Sequence, residues 1–228
     1  MIKRFLAAAV ACSVSFTPAA FAQEDAAASA PQTIPLRANP DVTQDLENIL
    51  YLDLSNGGRV AIRLVPEWAP SHVERIKTLA RQGFYDGVIF HRVIDGFMAQ
   101  TGDPTGTGRG GSELPDVKAA FNMFPHVRGS VAMARAADKD SANSQFFIVF
   151  YPRFSLDRNY TNFGRVIAGM DAVDAIERGE PPANPTYIVQ ASIAADGKPQ
   201  KFAPPPAPEP VSLDVPLDLC DAVTTPTN

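Results

Sequence analysis

The chain has 228 residues, a formal net charge of −5, 45% hydrophobic residues and 20% charged residues. The acidic balance opposes a nucleic-acid surface, and three His with two Cys exclude a multi-cluster metal protein or a disulfide-stapled mini-domain. Proline is in excess, with 21 residues against a usual share of about 5%.

Read from the start, Lys3 and Arg4 precede an apolar run, Phe5 to Phe16, that is too short to span a bilayer stably. Ala20-Phe21-Ala22 then gives a small-x-small cleavage site. This predicts a secretory signal over 1–22, cut before Gln23, leaving no membrane span. Cys12 after Val10-Ala11 also suggests a lipoprotein signal, but Ala9 stands where such signals usually carry leucine. Cleavage removes Cys12, so Cys220 is expected to be alone, without an intramolecular disulfide. Residues 23–44 are rich in Ala, Pro and Gln without apolar period, and read as a flexible leader.

The folded domain is expected over 45–197. Asn48 to Leu54 and Arg59 to Leu64 alternate around Ser55-Asn56-Gly57-Gly58, a hairpin pattern. Ala69-Pro70 opens a helix whose Val73, Ile76, Leu79 and Ala80 share one face, and Gly83 ends it. Further strands are expected at Val88–Val93, Phe97–Thr101, Gly129–Ala134, Gln145–Phe150, Asn162–Ile167 and Tyr187–Ala194, with a second helix over Met170–Glu177. About eight short strands and two helices predict a mainly β sandwich or barrel with helices at its open ends. Residues 198–228 hold eight prolines, five of them within Pro204–Pro210. They read as a tail of polyproline character, with Val211–Val215 a short strand at most.

Phe84 to Asp103 is the most informative stretch. Alternation places Phe90, Arg92 and Ile94 on one face and Ile89, His91 and Val93 on the other. An Arg among large apolar groups either snorkels to water or holds a polar group in an apolar cleft. Met98, Gln100 and Gly102 likewise oppose Phe97, Ala99 and Thr101. Gln145, amid Ser144-Gln-Phe-Phe-Ile-Val-Phe150, needs hydrogen-bond partners if buried. Gly106 to Gly111 lacks the Lys-Ser/Thr ending of a phosphate loop and reads as a turn. His72 is expected to be solvated, His91 to be a hydrogen-bonded interior residue, and His126 has no assigned role. Trp68 is expected to pack the helix entry, and Asp138-Lys139-Asp140 to be a solvated turn.

The ordered strings FHRVIDGFMAQTGD, GTGRGG, SVAMARA, SQFFIVF and SLDRNYTNFGRVIAGMDAVDAI resemble the cyclophilin family of peptidyl-prolyl cis/trans isomerases. The likeness covers nearly all of 48–196 and is to the bacterial branch. It implies a closed eight-stranded antiparallel β-barrel capped by two helices, no cofactor and no metal. It also implies proline-containing polypeptides as partners and, with the signal, a periplasmic location; nothing in the sequence suggests an obligate interface, so a monomer is expected. Carried over residue by residue, the catalytic group falls on Arg92, Phe97 and Gln100. The substrate-binding group falls on Met98, Gly108, Ala134, Arg135, Gln145, Phe147, Leu156 and Tyr160. Phe97, Met98, Phe147 and Leu156 would hold the proline ring, and Gln100 and Gln145 would hold peptide groups and orient Arg92.

Three positions depart from the family pattern. Arg135 stands for a common Asn and Tyr160 for a pocket His. Ser155 stands for the tryptophan linked to cyclosporin binding, so that property does not carry over. Two classes of function follow: an isomerase acting on exported proteins, or a binding module that grips proline segments without turnover. A third idea is that the proline-rich tail docks a partner.

Overall fold

The structure is a computed structural model and describes residues 44–202. The expected signal, nearly all of the leader, most of the tail, Cys12, Cys220 and Val211–Val215 lie outside the described residues.

The first hairpin forms where the alternation and the Asn-Gly turn place it. Strand β1 (Ile49–Leu54) pairs antiparallel with β2 (Arg59–Leu64). Gly57 sits at φ +87°, a backbone state that costs glycine little. Asn56 accepts from Gly58 N through Oδ1 (3.1 Å) and donates through Nδ2 to Ala172 O (3.0 Å). The turn is thereby tied to the second helix. Helix α1 (Pro70–Arg81) starts on Pro70 and buries Val73, Ile76, Leu79 and Ala80 as predicted. It also buries His72, which was expected in solvent.

Six more strands follow: β3 (Arg92–Ile94), β4 (Met98–Thr101), β5 (Ser130–Met133), β6 (Phe146–Val149), β7 (Asn162–Ala168) and β8 (Ile188–Ile193). Helix α2 (Met170–Asp174) lies between β7 and β8, shorter than the predicted span, with Val173 and Ile176 buried as expected. All pairings are antiparallel, in the order β3-β4-β6-β5-β7-β2-β1-β8.

The result is a mainly β fold, a curled eight-stranded sheet with two helices. Its edge strands β3 and β8 share no ladder. The strand expected over Val88–Val93 is regular only from Arg92. The residues before it bond across instead: Gly87 N to Ile188 O (2.7 Å), Phe90 N to Thr186 O (2.8 Å) and Ile188 N to Val88 O (2.9 Å), with one isolated bridge at Ile89 and Tyr187.

The broken regularity corrects one expectation. Phe90 joins Val93 in the main core rather than sharing a face with Arg92.

The core is two-sided where the site lies. In β6, Phe146 and Ile148 point into the main core with Leu50, Ile62 and Ile76, while Phe147 and Val149 point the other way. There they meet Met98, Ala132 and Leu156 in a second apolar cluster. Period-2 alternation explains why Phe-Phe-Ile-Val is apolar without a break: both faces are covered. The chain continues along β1 and β8 past Gly197. Gln190 Nε2 donates to Pro199 O (3.0 Å), and Lys201 N donates to Asp53 Oδ2 (2.8 Å). No described helix is long and apolar enough to cross a membrane.

Candidate functional site

Strand register builds the site. The Asp95-Gly96 turn, with Gly96 at φ +66°, sets Arg92 opposite Gln100 and Ile94 opposite Met98. On β6, Phe147 stands opposite Gln100, and Ala132 of β5 stands opposite Phe147. Arg92, Gln100, Phe147 and Ala132 therefore form one row across four strands, on the face away from the main core.

Loops close the row into a cavity of about 150 Å³, lined by Arg92, Phe97, Met98, Gln100, Ala134, Arg135, Phe147, Leu156 and Tyr160. Tyr160 meets Phe147 edge to face, with ring centroids 5.7 Å apart. The volume suits one small side chain and is well below the roughly 300–1,000 Å³ of a drug-sized ligand site. Gly108 and Gln145 do not line it. They line a neighbouring cavity of about 540 Å³, which shares Gln100, Ala134 and Arg135 with the first.

Gln145 spans the wall between the two. Its Oε1 accepts from Gln100 Nε2 (2.8 Å), and its Nε2 donates to Gly108 O (3.1 Å) and Gly110 O (2.7 Å). Every buried polar demand of this Gln is thus met, as its place in an apolar run requires.

The loop that supplies those carbonyls is wrapped around Asp103. That buried carboxylate accepts from Thr105 N and Oγ1 (2.8 Å each), Gly108 N (2.6 Å) and Gly110 N (3.1 Å). Burial raises its pKa, but the hydrogen bonds from Thr105, Gly110 and Gly108 together outweigh burial and hold it at about 2. A side chain at Gly110 would collide with this carboxylate.

Arg92 is not oriented by the glutamines. Its side chain is 42% exposed, and its Nε donates to Glu180 Oε2 at 2.7 Å. The backbone explains the pairing: Val93 and Gly179 exchange hydrogen bonds (2.8 and 2.9 Å), which sets the next residue, Glu180, beside Arg92. Sequence reasoning missed Glu180, and no local signal marks it, because 87 positions separate Gly179 from its partner strand at Arg92. It also missed the part played by Asp103, although a carboxylate before Thr and glycines is a turn-forming pattern.

His126, given no role from sequence, is buried. Its Nδ1 lies 2.8 Å from Asp157 Oδ1, and its ring stacks at 6.4 Å behind Phe147. His91 is interior, but both ring nitrogens lack a partner among the described residues, so the expected hydrogen bond is absent. Burial lowers its pKa, with Asp103 opposing and Arg92 reinforcing. Trp68 packs as expected, stacked on Phe124 with centroids 3.5 Å apart. Phe154 is 64% exposed, and neither it nor the neighbouring Ser155 lines the small cavity.

The model of the family described as cyclophilin type peptidyl-prolyl cis-trans isomerase/CLD matches residues 49–193. A probable peptidyl-prolyl cis-trans isomerase of Brucella suis is 48% identical over 170 residues, covering 68% of this chain and 86% of its own length. Peptidyl-prolyl cis-trans isomerase B of Bacillus subtilis is 40% identical over 131 residues, covering 57% of this chain and 91% of its own. Among solved structures, the cyclophilin AquaCyp293 from Hirschia baltica superposes with a TM-score of 0.63 at 31% identity, covering 69% of this chain and 78% of its own. A Cryptosporidium parvum cyclophilin type isomerase, crystallised in the presence of the dipeptide Ala-Pro, gives a TM-score of 0.59 at 26% identity, covering 64% of this chain and 98% of its own. The chain belongs to the cyclophilin-type peptidyl-prolyl cis/trans isomerase family.

Proposed function

We propose that this chain accelerates cis/trans rotation of X-Pro bonds in exported polypeptides, in the periplasm, with Arg92 as its catalytic group. The observation that carries the reading is the row Arg92–Gln100–Phe147 beside a cavity of proline size that Phe97, Met98, Phe147 and Leu156 help to line. Ala-Pro, the dipeptide present with the Cryptosporidium parvum relative, is the smallest unit with the bond in question.

An X-Pro bond is an amide with partial double-bond character and a rotational barrier of about 18–20 kcal/mol. Its rotation makes and breaks no covalent bond, so it needs neither nucleophile nor acid or base. The proline ring enters the cavity formed by Phe97, Met98, Phe147 and Leu156, of which Met98 and Phe147 are almost wholly shielded from water. With the ring anchored, the acyl side turns.

Twisting localises the lone pair on the prolyl nitrogen. A guanidinium donor aimed at that nitrogen stabilises the twisted amide more than the planar one. A guanidinium suits this role because it presents several donors in a fixed planar fork. The Nε of Arg92 is engaged by Glu180, which leaves the two Nη groups to face substrate. One charge-assisted hydrogen bond contributes about 1.5–3 kcal/mol, or roughly one to two decades of rate at about 1.4 kcal/mol per decade. Ring anchoring and removal of the polar planar amide from water supply the remainder. Gln100, Gln145, Gly108, Ala134, Arg135 and Tyr160 bind the flanking peptide.

The test is isomerisation of an Ala-Pro peptide, coupled to chymotrypsin. Wild type should accelerate it, and Arg92→Ala should lower kcat/KM by about 10- to 100-fold. No acceleration by wild type overturns the enzyme reading in favour of a binding module, and equal acceleration by both removes Arg92 from the mechanism. Export rests on Lys3, Arg4, the apolar run and Ala20-Phe21-Ala22. Sequencing the protein from a periplasmic fraction should read from Gln23, and an intact Met1 confined to the cytosol overturns that part.

A further inference from the structure

Arg135 is a cation held in place without a counterion. Its Nε donates to Asn159 O (3.1 Å), and its Nη1 donates to Ala136 O (2.9 Å) and Ala137 O (3.3 Å). Its guanidinium carbon lies 4.9 Å from the Tyr160 ring centroid. All of these partners are neutral. Among the described residues no carboxylate comes within ion-pair distance of Arg135, and its Nη2 makes no hydrogen bond.

The residue is half-buried and lines both the small cavity and the larger one beside it. A guanidinium already fixed in one rotamer loses little further entropy when it binds an anion. A half-buried charge with only dipoles around it gains from a carboxylate that arrives with substrate. The neighbouring charge supports this. Arg109 lines the larger cavity and is in no ion pair among the described residues, while Arg92 in the small cavity is already paired with Glu180 and the net charge of the chain is −5. Asp116 is the one carboxylate among the described residues lining the larger cavity, and its Oδ1 already takes a bond from Asn143 Nδ2 (2.9 Å). A positive groove in an acidic molecule selects by charge as well as by shape.

We infer that Arg135 is a specificity residue, selecting client segments that carry an Asp or Glu side chain within a few residues of the target proline, on the stretch that lies along the larger cavity. This rests on the isomerase reading above and adds a substrate class to it.

The experiment is protease-free exchange NMR on a set of Ala-Pro peptides. A single Glu is placed at each of the three positions before and two after proline, each beside its Gln control. At one position or more, the Glu peptide should exceed its Gln control in kcat/KM by about five- to tenfold at low salt, and the ratio should shrink in 0.5 M salt. Arg135→Gln should bring that ratio to one, whatever it does to the absolute rate. Arg135→Glu should invert the preference toward a Lys peptide. Equal Glu and Gln rates at every position with wild type overturn the inference, and so does a ratio that survives Arg135→Gln. The uncharged Ala-Pro peptide separates the two readings, because loss of all acceleration there fails the isomerase reading itself. Circular dichroism of each variant shows whether a lost ratio comes with a lost fold.

Discussion

At the scale of single residues, the site is a set of polar groups whose partners are nearly all accounted for. Gln145 is saturated by Gln100 and two loop carbonyls, and Asp103 by five donors. The two cations are less fully engaged: the Arg92 side chain hydrogen-bonds only to Glu180, and Arg135 has no counterion among the described residues. If Arg92 is the catalytic group proposed above, Glu180 is its positioning residue. Both side chains are more than two-fifths exposed, so the pair contributes little to stability, on the order of 0–1 kcal/mol. Its effect should appear in rate. Glu180→Gln should lower kcat by about two- to fivefold with KM nearly unchanged, and Glu180→Asp should restore part of the loss. The melting temperature should stay within about 2 °C of wild type. A change in KM alone, or no kinetic change in Glu180→Gln, shows that Arg92 needs no such partner.

At the scale of elements, the buried face of α1 carries a titratable group. His72 is fully buried, neither ring nitrogen has a partner among the described residues, and burial with the nearby Arg75 charge lowers its pKa to about 4. In the unfolded chain it titrates near its ordinary 6.5. Between these values the unfolded state binds more protons than the folded one, so stability rises with pH there. The contribution is complete above about pH 6.5 and is lost as pH falls toward about 4. Urea unfolding at pH 7.5 and pH 5 should therefore show wild type losing stability on acidification. His72→Leu should lose less over the same interval, and identical pH slopes would remove His72 from the account. Helical period alone put Val73, Ile76, Leu79 and Ala80 on the inner face, and that face was legible. The burial of His72 beside that face was not legible, because burial depends on tertiary neighbours that no local pattern encodes.

At the scale of the molecule, the described chain ends against β1 and β8 rather than at the last strand. Lys201 N shares Asp53 Oδ2 with Arg59, and Pro199 O accepts from Gln190. Truncation after Phe202 should leave both melting and isomerase rate unchanged. Truncation after Lys198 removes these bonds and should cost about 0.5–1.5 kcal/mol per bond lost, read as a lower urea midpoint with unchanged kcat/KM. A rate change in either truncation would place the chain after Lys198 in the catalytic machinery. The proline excess is concentrated at the two ends of the chain, with eight of 21 prolines between 199 and 228.

Hydrophobic period, glycine turns and the ordered motifs determined the strands, both helices, the family and the members of the proline-sized cavity. Those features depend on neighbours a few positions apart, or on strings long enough to be specific by themselves. The tertiary structure alone decided the rest. Arg92, Gln100, Phe147 and Ala132 form one row because three strand registers agree. Glu180 reaches Arg92 because Gly179 bonds to Val93 across the sheet. The stretch before β3 leaves regular alternation because it bonds to residues 186–188 instead of extending that strand. Hydrogen bonding between distant segments is set by the summed curl and register of the whole sheet. No window of sequence contains that sum.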